Sequence, residues 1–316
     1  MELTQISSFK LGKKLQGFFL CKEKHLRITR SGDPYLNLIL QDETGSITAK
    51  VWDNVDALQG KFQIGDPLAV KGVPTEFNNE LQLTIDQITL ATVSRYKKYG
   101  FNPDGLIGHI NEPVEDLWKI LISAGESLSS KPLKELVLSI LNEYREPICT
   151  LPGSVNHHHL VRGGFLKHLS TSVLLAGKIC RTYPKLNRDL VVAGILLHDI
   201  GKVKSMQGEF VTEYTDAGRL MGHAVLSRDI LQEAFQKSKG LSEDLKLKLL
   251  HMVLAHQGRS ERGAPVKPQF PEALIVCFID EMDAQLDIMF RILEQNMDEG
   301  DWTDDRNSFR TQLWKV

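Results

Sequence analysis

The hydrophobic period of this chain changes once, near residue 91, and that change sets what it can fold into. Before it, apolar residues recur every second position. Leu36, Leu38 and Leu40 alternate with Tyr35, Asn37 and Ile39; Ile47, Ala49 and Val51 alternate with Thr48, Lys50 and Trp52; Leu81, Leu83 and Ile85 alternate with Gln82, Thr84 and Asp86. A period of two marks strands with one face buried. The tetrad Asp42-Glu43-Thr44-Gly45 is a turn that joins two strands into a hairpin, and the polar stretch Asn54–Gly60 predicts a helical turn before the next strand begins near Gly65-Asp66. Five strands within about 75 residues, interrupted after the third, predict a small OB barrel.

After residue 91 the pattern breaks, and Arg95–Gly100 and Asn102–Gly105 read as a linker. Helical spacing then takes over in Glu115–Leu128, Pro132–Tyr144, Leu166–Arg181, Asn187–His198, Arg219–Gln236, Ser242–His256 and Pro271–Gln295. Ser242 is placed to cap its helix, with Glu243 and Asp244 at the positive end of the dipole. The expected organisation is an OB-fold domain over 1–92, a linker over 93–112, an all-α helical domain over 113–297 and a C-terminal tail over 298–316. Trp302, Phe309 and Trp314 suggest that the tail docks.

Charge and cysteine content narrow the partners. The net charge of −2 does not advertise a polyanion ligand, but residues 1–30 carry seven Lys/Arg against Glu2 and Glu23, enough local charge to follow a phosphate backbone. Cys21, Cys149, Cys180 and Cys277 are widely spaced and form no CxxC, which fits reduced thiols in a cytoplasmic protein. No signal peptide is visible, and runs such as Val191–Leu197 and Ala273–Ile279 are too short to span a bilayer. OB barrels hold single strands by stacking and backbone charge. Tyr35, Trp52 and Phe77 are the expected stacking residues, with Lys50 and Arg30 as phosphate contacts; alternation alone leaves Tyr35 and Trp52 equally suited to the barrel core.

The chemistry concentrates in the helical half. Leu196-Leu197-His198-Asp199-Ile200-Gly201-Lys202 places a histidine beside an aspartate at the end of an apolar run. Such a pair could simply be a helix end with a lysine near its dipole. The flanking series His158, His159, His168, His223, His251, His256 and Asp280 argues instead for a metal site. Imidazole and carboxylate suit divalent cations with open positions, which activate water for attack at phosphorus. Asp280 lies mid-way along an apolar helix, where an unpartnered carboxylate is costly, and shares a helix face with Asp283, so one could ligate while the other orients a histidine. His251 and His256 are five apart and point in different directions on one helix. Lys202 and Arg162 are the natural partners for phosphate charge.

The segment His158-His159-Leu160-Val161-Arg162-Gly163-Gly164-Phe165-Leu166-Lys167-His168 resembles the HHxxxGGLLxH signature of an HD-domain subgroup. Leu197–Lys202, Gly222-His223 and Asp280-x-x-Asp283-Ala284 fit the same subgroup, and Tyr35–Leu38 through Lys50–Asp53 looks like its OB domain. The chain is thus similar to the YhaM-type 3′-5′ exoribonucleases from about residue 10 to 295. The resemblance implies a metal-dependent hydrolase, typically manganese-activated (with Mg²⁺, Co²⁺ or Fe²⁺ as alternatives), that shortens single-stranded RNA, and to some extent DNA, from the 3′ end to nucleoside 5′-monophosphates. By motif position His168, His198, Asp199 and Asp280 would hold the first cation, and His223 and His256 would approach a second. Asp199, Lys202 and His223 form the expected catalytic set. His158, His159, Arg162, His251, Gln257 and Asp283 are the expected substrate contacts beside Tyr35, Trp52, Phe77 and Lys50. Where the family usually has Ser-His-His-Gly, this chain has Ala255-His256-Gln257-Gly258. Glutamine is a poor ligand compared with imidazole, so a second cation is expected to bind weakly or Gln257 to touch substrate. The expected partners are single-stranded RNA, single-stranded DNA and a second copy of the chain in a homo-oligomer, with no membrane. Two rival readings remain: a phosphohydrolase of free nucleotides or cyclic dinucleotides, and a nucleic-acid-binding protein with an inactive HD site, the latter favoured by Gln257.

Overall fold

The computed structural model describes residues 3–78, 80–155, 157–208, 211–296 and 300–315. It divides into two compact units, one of residues 1–109 with 208–212 and one of residues 110–207 with 213–316.

The first unit is a closed barrel of β1 (Leu15–Ile28), β2 (Pro34–Asp42), β3 (Gly45–Val51), β4 (Pro67–Phe77) and β5 (Glu80–Leu90), in the order β1-β2-β3-β5-β4. All neighbours are antiparallel except β3 and β5. The alternating positions do what their period requires: Leu36, Leu38, Leu40, Ile47, Ala49, Val51, Leu83 and Ile85 fill the barrel. Leu81 differs and is exposed, because it sits opposite Glu76, one pair from the turn of the β4–β5 hairpin. The Asp42–Gly45 turn closes through the buried Asp42 carboxylate, which accepts from the Thr44 N–H and hydroxyl and from the Ile6 N–H. The polar stretch after β3 forms α1 (Val55–Gln59). A bulge between Cys21 and Glu23 re-aims the rest of β1, and beyond it Leu26 and Ile28 are exposed. The segment expected as a linker begins with α2 (Val93–Tyr96) followed by short helical turns, and Tyr96 and Phe101 pack against Phe18 of β1 at 5.6 and 4.9 Å.

The second unit is helical: α3 (Val114–Glu126), α4 (Lys131–Glu143), α5 (Arg145–Thr150), α6 (Gly164–Thr182), α7 (Arg188–Leu197), α8 (Lys202–Ser205), α9 (Asp216–Lys237), α10 (Glu243–Ala255) and α11 (Pro271–Gln295). A two-stranded ribbon, β6 (Met206–Gln207) with β7 (Glu213–Tyr214), sits between α8 and α9. Helix α7 organises the unit. Every residue from Leu190 to Leu197 is buried, as a helix apolar on all sides demands, and α3, α4, α6, α10 and α11 pack around it. Burial of each Leu or Ile there contributes about 1.5–3 kcal/mol. Asn187 caps its start, accepting from the Leu190 N–H at 3.1 Å. Ser242 caps α10 in the same way through the Leu245 N–H at 3.2 Å.

Candidate metal centre and nucleic-acid face

Because α7 is the core helix, whatever follows its last turn is delivered to the interior. His198 and Asp199 occupy that place and are buried with Lys202. The turn is locked from α9: the Ser227 hydroxyl accepts from the Gly201 N–H at 2.7 Å and donates to the His198 carbonyl at 3.2 Å. A β-carbon at residue 201 would lie 2.1 Å from the His223 carbonyl oxygen, so the backbones meet this closely only over a glycine.

His168, from the first turns of α6, and Asp280, from the middle of α11, reach the same point. One ligand atom from each of His168, His198, Asp199 and Asp280 falls within 4.8 Å of the others. A second set, Asp199, His223 and His256, meets the same criterion and shares Asp199. His223 gets there because α9 is broken at Gly222, whose φ of 75° and ψ of 156° suit glycine alone.

The protonation pattern fits these residues to cations. The Nδ1 atoms of His168, His198 and His256 lie 2.7, 2.8 and 2.8 Å from Asp283 Oδ2, the Ile195 carbonyl and the Val253 carbonyl. These partners only accept, so each Nδ1 carries a proton and each Nε2 is the ring atom turned inward, free to offer a lone pair once it carries no proton. Two such atoms, those of His168 and His198, are 3.2 Å apart; those of His223 and His256 are also 3.2 Å apart. Asp199 Oδ1 is buried without a hydrogen-bond partner, although both of the latter Nε2 atoms lie 3.2 Å from it. Facing lone pairs repel unless a proton or a cation stands between them. In the cation-free site burial disfavours a charged His198, but Asp199 and Asp280 outweigh it and push the ring up to about 10. Burial also opposes charge on Asp199, yet Lys202 and His198 hold its carboxyl well below the usual range. The nitrogen and oxygen donor set suits a divalent transition metal.

Behind His168 lies a chain of partners. Asp283 Oδ2 accepts from His168 Nδ1 and, at 2.8 Å, from His159 Nε2. Asp287 accepts from the His159 N–H at 2.7 Å and lies 3.2 Å from its Nδ1. Asp283 and His159, expected as substrate contacts, therefore lie behind His168, where Asp283 fixes its ring. Asp287 and Ser227 carried no motif and were not expected.

The open side of the centre is a cavity of about 500 Å³. His157, His158, Asp199, Lys202, His223, His256, Gln257 and Asp280 are among its lining residues. His158 is held neutral, pushed down to about 2 by burial and by Lys202, and its buried Nε2 has no partner. Lys202 is engaged by Asp199. Gln257 reaches to 3.4 Å of His223 Nε2. Tyr214 of β7 and the ion pair of Arg262, in the turn after α10, with Glu281 of α11 at 2.6 Å also line it, and no motif marked them in the sequence. Besides His159 and Asp283, two more expected contacts are not in its wall. His251 points elsewhere, its Nε2 accepting from the Gln269 N–H at 3.1 Å and its ring 5.2 Å from Phe270. Arg162 is outside the wall as well, and its carbonyl accepts from the Ile110 N–H at 3.1 Å.

In the barrel unit Tyr35 and Trp52 stack at 4.7 Å, and Trp52 and Phe77 are exposed rather than in the core. Lys50 Nζ lies 4.7 Å from the Phe77 ring centre and 5.5 Å from that of Trp52. Arg30 is exposed.

A closed five-stranded barrel followed by a helical unit with converging His and Asp donors defines an OB-fold protein with an HD phosphohydrolase domain, a metal-dependent hydrolase. Family models agree: the OB-fold nucleic acid binding domain matches residues 22–91 and the HD domain matches 165–285, while a helicase-family model matches 113–185. Among curated proteins, the 3′-5′ exoribonuclease YhaM of Oceanobacillus iheyensis is 30% identical over 90% of this chain and 88% of its own length. That of Halalkalibacterium halodurans is 29% identical over 91% and 88%. The chain belongs to the YhaM family. Among solved structures, the second OB-fold domain of replication protein A from Methanococcus maripaludis aligns at 19% identity, covering 28% of this chain and 94% of that one with a TM-score of 0.24. No helix among the described residues is long and apolar enough to cross a membrane.

Proposed function

We propose that this protein is a cytoplasmic 3′-5′ exoribonuclease that removes nucleoside 5′-monophosphates from single-stranded RNA, with single-stranded DNA as a secondary substrate. The observation that carries the reading is the pair of donor sets sharing Asp199 on the floor of one cavity. His168, His198, Asp199 and Asp280 would hold one divalent cation, and Asp199, His223 and His256 a second. Manganese is the proposed native metal. When bound, such cations polarise phosphoryl oxygens and lower the pKa of water.

The residues of the chain supply the rest. The cavity is of a size that holds one small ligand, here the terminal nucleotide. Lys202, in the cavity wall beside Asp199, sits where charge develops on the phosphoryl oxygens. Neutral His158 offers a buried ring nitrogen to the sugar or phosphate without adding charge. His157 and Gln257 complete the substrate-facing wall. Tyr35, Trp52 and Phe77 would stack on upstream bases, with Lys50 against the backbone.

The test is 5′-labelled single-stranded RNA incubated with Mn²⁺. The wild-type protein should give a ladder shortening from the 3′ end, and Asp199→Ala should leave the strand whole. An intact strand with the wild-type protein, together with hydrolysis of a cyclic dinucleotide, would replace this reading with that of a small-nucleotide phosphohydrolase.

A further inference from the structure

The short ribbon of β6 and β7 carries Tyr214, the one Phe, Tyr or Trp among the described residues that line the metal cavity. In the ribbon Met206 pairs with Tyr214 and Gln207 with Glu213. Directly opposed residues put their side chains on the same side of a ribbon, and the next pair puts its own on the other. Met206 and Tyr214 therefore face one way, and both line the cavity. Gln207 and Glu213 face the other way, are exposed, and satisfy each other, the Gln207 amide donating to the Glu213 carboxylate at 3.0 Å.

The ribbon is a fixed mount close to Lys202. Lys202 and Ser205 stand at the two ends of α8, about 5 Å apart along its axis, and β6 follows at once. The residue after Tyr214 is tied back to the same turn. The Thr215 N–H donates to the Ser205 carbonyl at 3.0 Å, and the Thr215 hydroxyl donates to the Lys204 carbonyl at 2.8 Å. A β-carbon at residue 218 would lie 2.2 Å from the Ser205 carbonyl oxygen, so α9 starts in backbone contact with that turn. Tyr214 is thus held within one nucleotide's reach of the lysine beside Asp199.

The side chain itself is uncommitted. Tyr214 is 38% exposed, and among the described residues no hydrogen bond, ring contact or cation engages its phenol; its carbonyl alone is used, by Arg219 Nε. The lysine and the arginine of the wall are already matched, Lys202 by Asp199 and Arg262 by Glu281. The wall therefore leaves open the flat face of an aromatic ring, beside the buried apolar Met206 and Ile288 that also line it. The phosphate and sugar of a nucleotide find polar partners elsewhere in the wall. Its base offers a π face, which aromatic side chains hold by stacking whatever the base. We propose, resting on the terminal-nucleotide reading of this cavity, that Tyr214 stacks on the base of the 3′-terminal nucleotide while the phosphate lies at the metal centre. A bare ring face grips every base and selects none.

Titration calorimetry on the full chain with Mn²⁺ compares adenosine 5′-monophosphate with ribose 5-phosphate, which lacks only the base. The wild-type protein should bind the nucleotide about 5- to 150-fold more tightly, the range of one base–aromatic stack. Tyr214→Ala should bind both alike, with its affinity for ribose 5-phosphate unchanged, and Tyr214→Phe should keep the preference. Tyr214→Leu, apolar but without a π face, should behave as alanine does. Equal affinities in the wild-type protein, a preference that survives Tyr214→Ala, or a folded Tyr214→Ala protein that loses both ligands together would each overturn the proposal. These affinities are read without turnover. If no RNA ladder ever forms, the exoribonuclease reading falls, while the stacking role still stands or falls on the two ligands.

Discussion

Asp283→Asn separates a residue that orients a metal ligand from one that touches substrate. In the native site a single carboxylate oxygen accepts from His168 Nδ1 at 2.7 Å and from His159 Nε2 at 2.8 Å. Asparagine can turn its carbonyl oxygen to the same two donors, so geometry and the His168 tautomer survive. The charge does not. Hydrogen bonds to a charged group contribute about 1.5–3 kcal/mol against about 0.5–1.5 for neutral pairs. Part of that difference reaches the metal as lower basicity of His168 Nε2. Loss of such an orienting partner costs roughly 10–100-fold in metal affinity, or about 1.4–2.7 kcal/mol. Titration calorimetry with Mn²⁺ at fixed pH measures it, and a thermal melt of the cation-free protein checks the fold. Asp287→Asn, one partner further out, should weaken binding by less. A folded Asp283→Asn protein whose cation affinity lies within threefold of wild type would refute the reasoning and return Asp283 to the substrate side.

Cation affinity should rise with pH from 6 to 9, about tenfold per unit for each proton displaced. His198, raised to about 10 in the cation-free site, holds a proton that a metal must expel. The cation-free fold should trend the opposite way. A histidine raised above its unfolded value of about 6.5 stabilises fully below that pH and loses its contribution as pH climbs toward 10, so melting temperature without metal should fall across the same interval. Gly222→Ala forces alanine into a glycine-only conformation at a cost of about 1–3 kcal/mol. Its melt should drop by several degrees, and the site formed by Asp199, His223 and His256 should lose its cation while the other keeps its own. Trp52→Ala should weaken single-stranded RNA binding by about 1–3 kcal/mol in fluorescence anisotropy, with calorimetric cation affinity unchanged.

How much of this was legible beforehand depended on whether a residue's role was local. The α11 boundaries, the Ser242 cap and the buried strand faces follow from neighbours a few positions away, and the sequence shows neighbours. The side chains that converge at this point were legible because adjacent His198-Asp199 and a histidine one helical turn after two glycines are rare enough to be a pattern. Asp287 was not, since its partner His159 is 128 positions away and nothing in its own surroundings marks it. His251 and His256 could not be separated by spacing. Five residues turn a helix by about 140°, so one ring faces the cavity and the other faces Phe270, and only tertiary packing decides which. The bulge at Lys22 was hidden because Cys21-Lys22-Glu23 interrupts the alternation that would have revealed it. Leu81 kept its period but lost its burial, since a strand end leaves the barrel before its pattern stops.

The central claim is that lone pairs and carboxylates from α6, α7, α9, α10 and α11 meet around shared cations. Anomalous diffraction at the manganese edge, from crystals grown with Mn²⁺, examines it directly. The account predicts a strong peak bounded by His168, His198, Asp199 and Asp280, and a weaker one bounded by Asp199, His223 and His256. Manganese bound elsewhere, with His168 and His198 still facing each other and nothing between them, would contradict it.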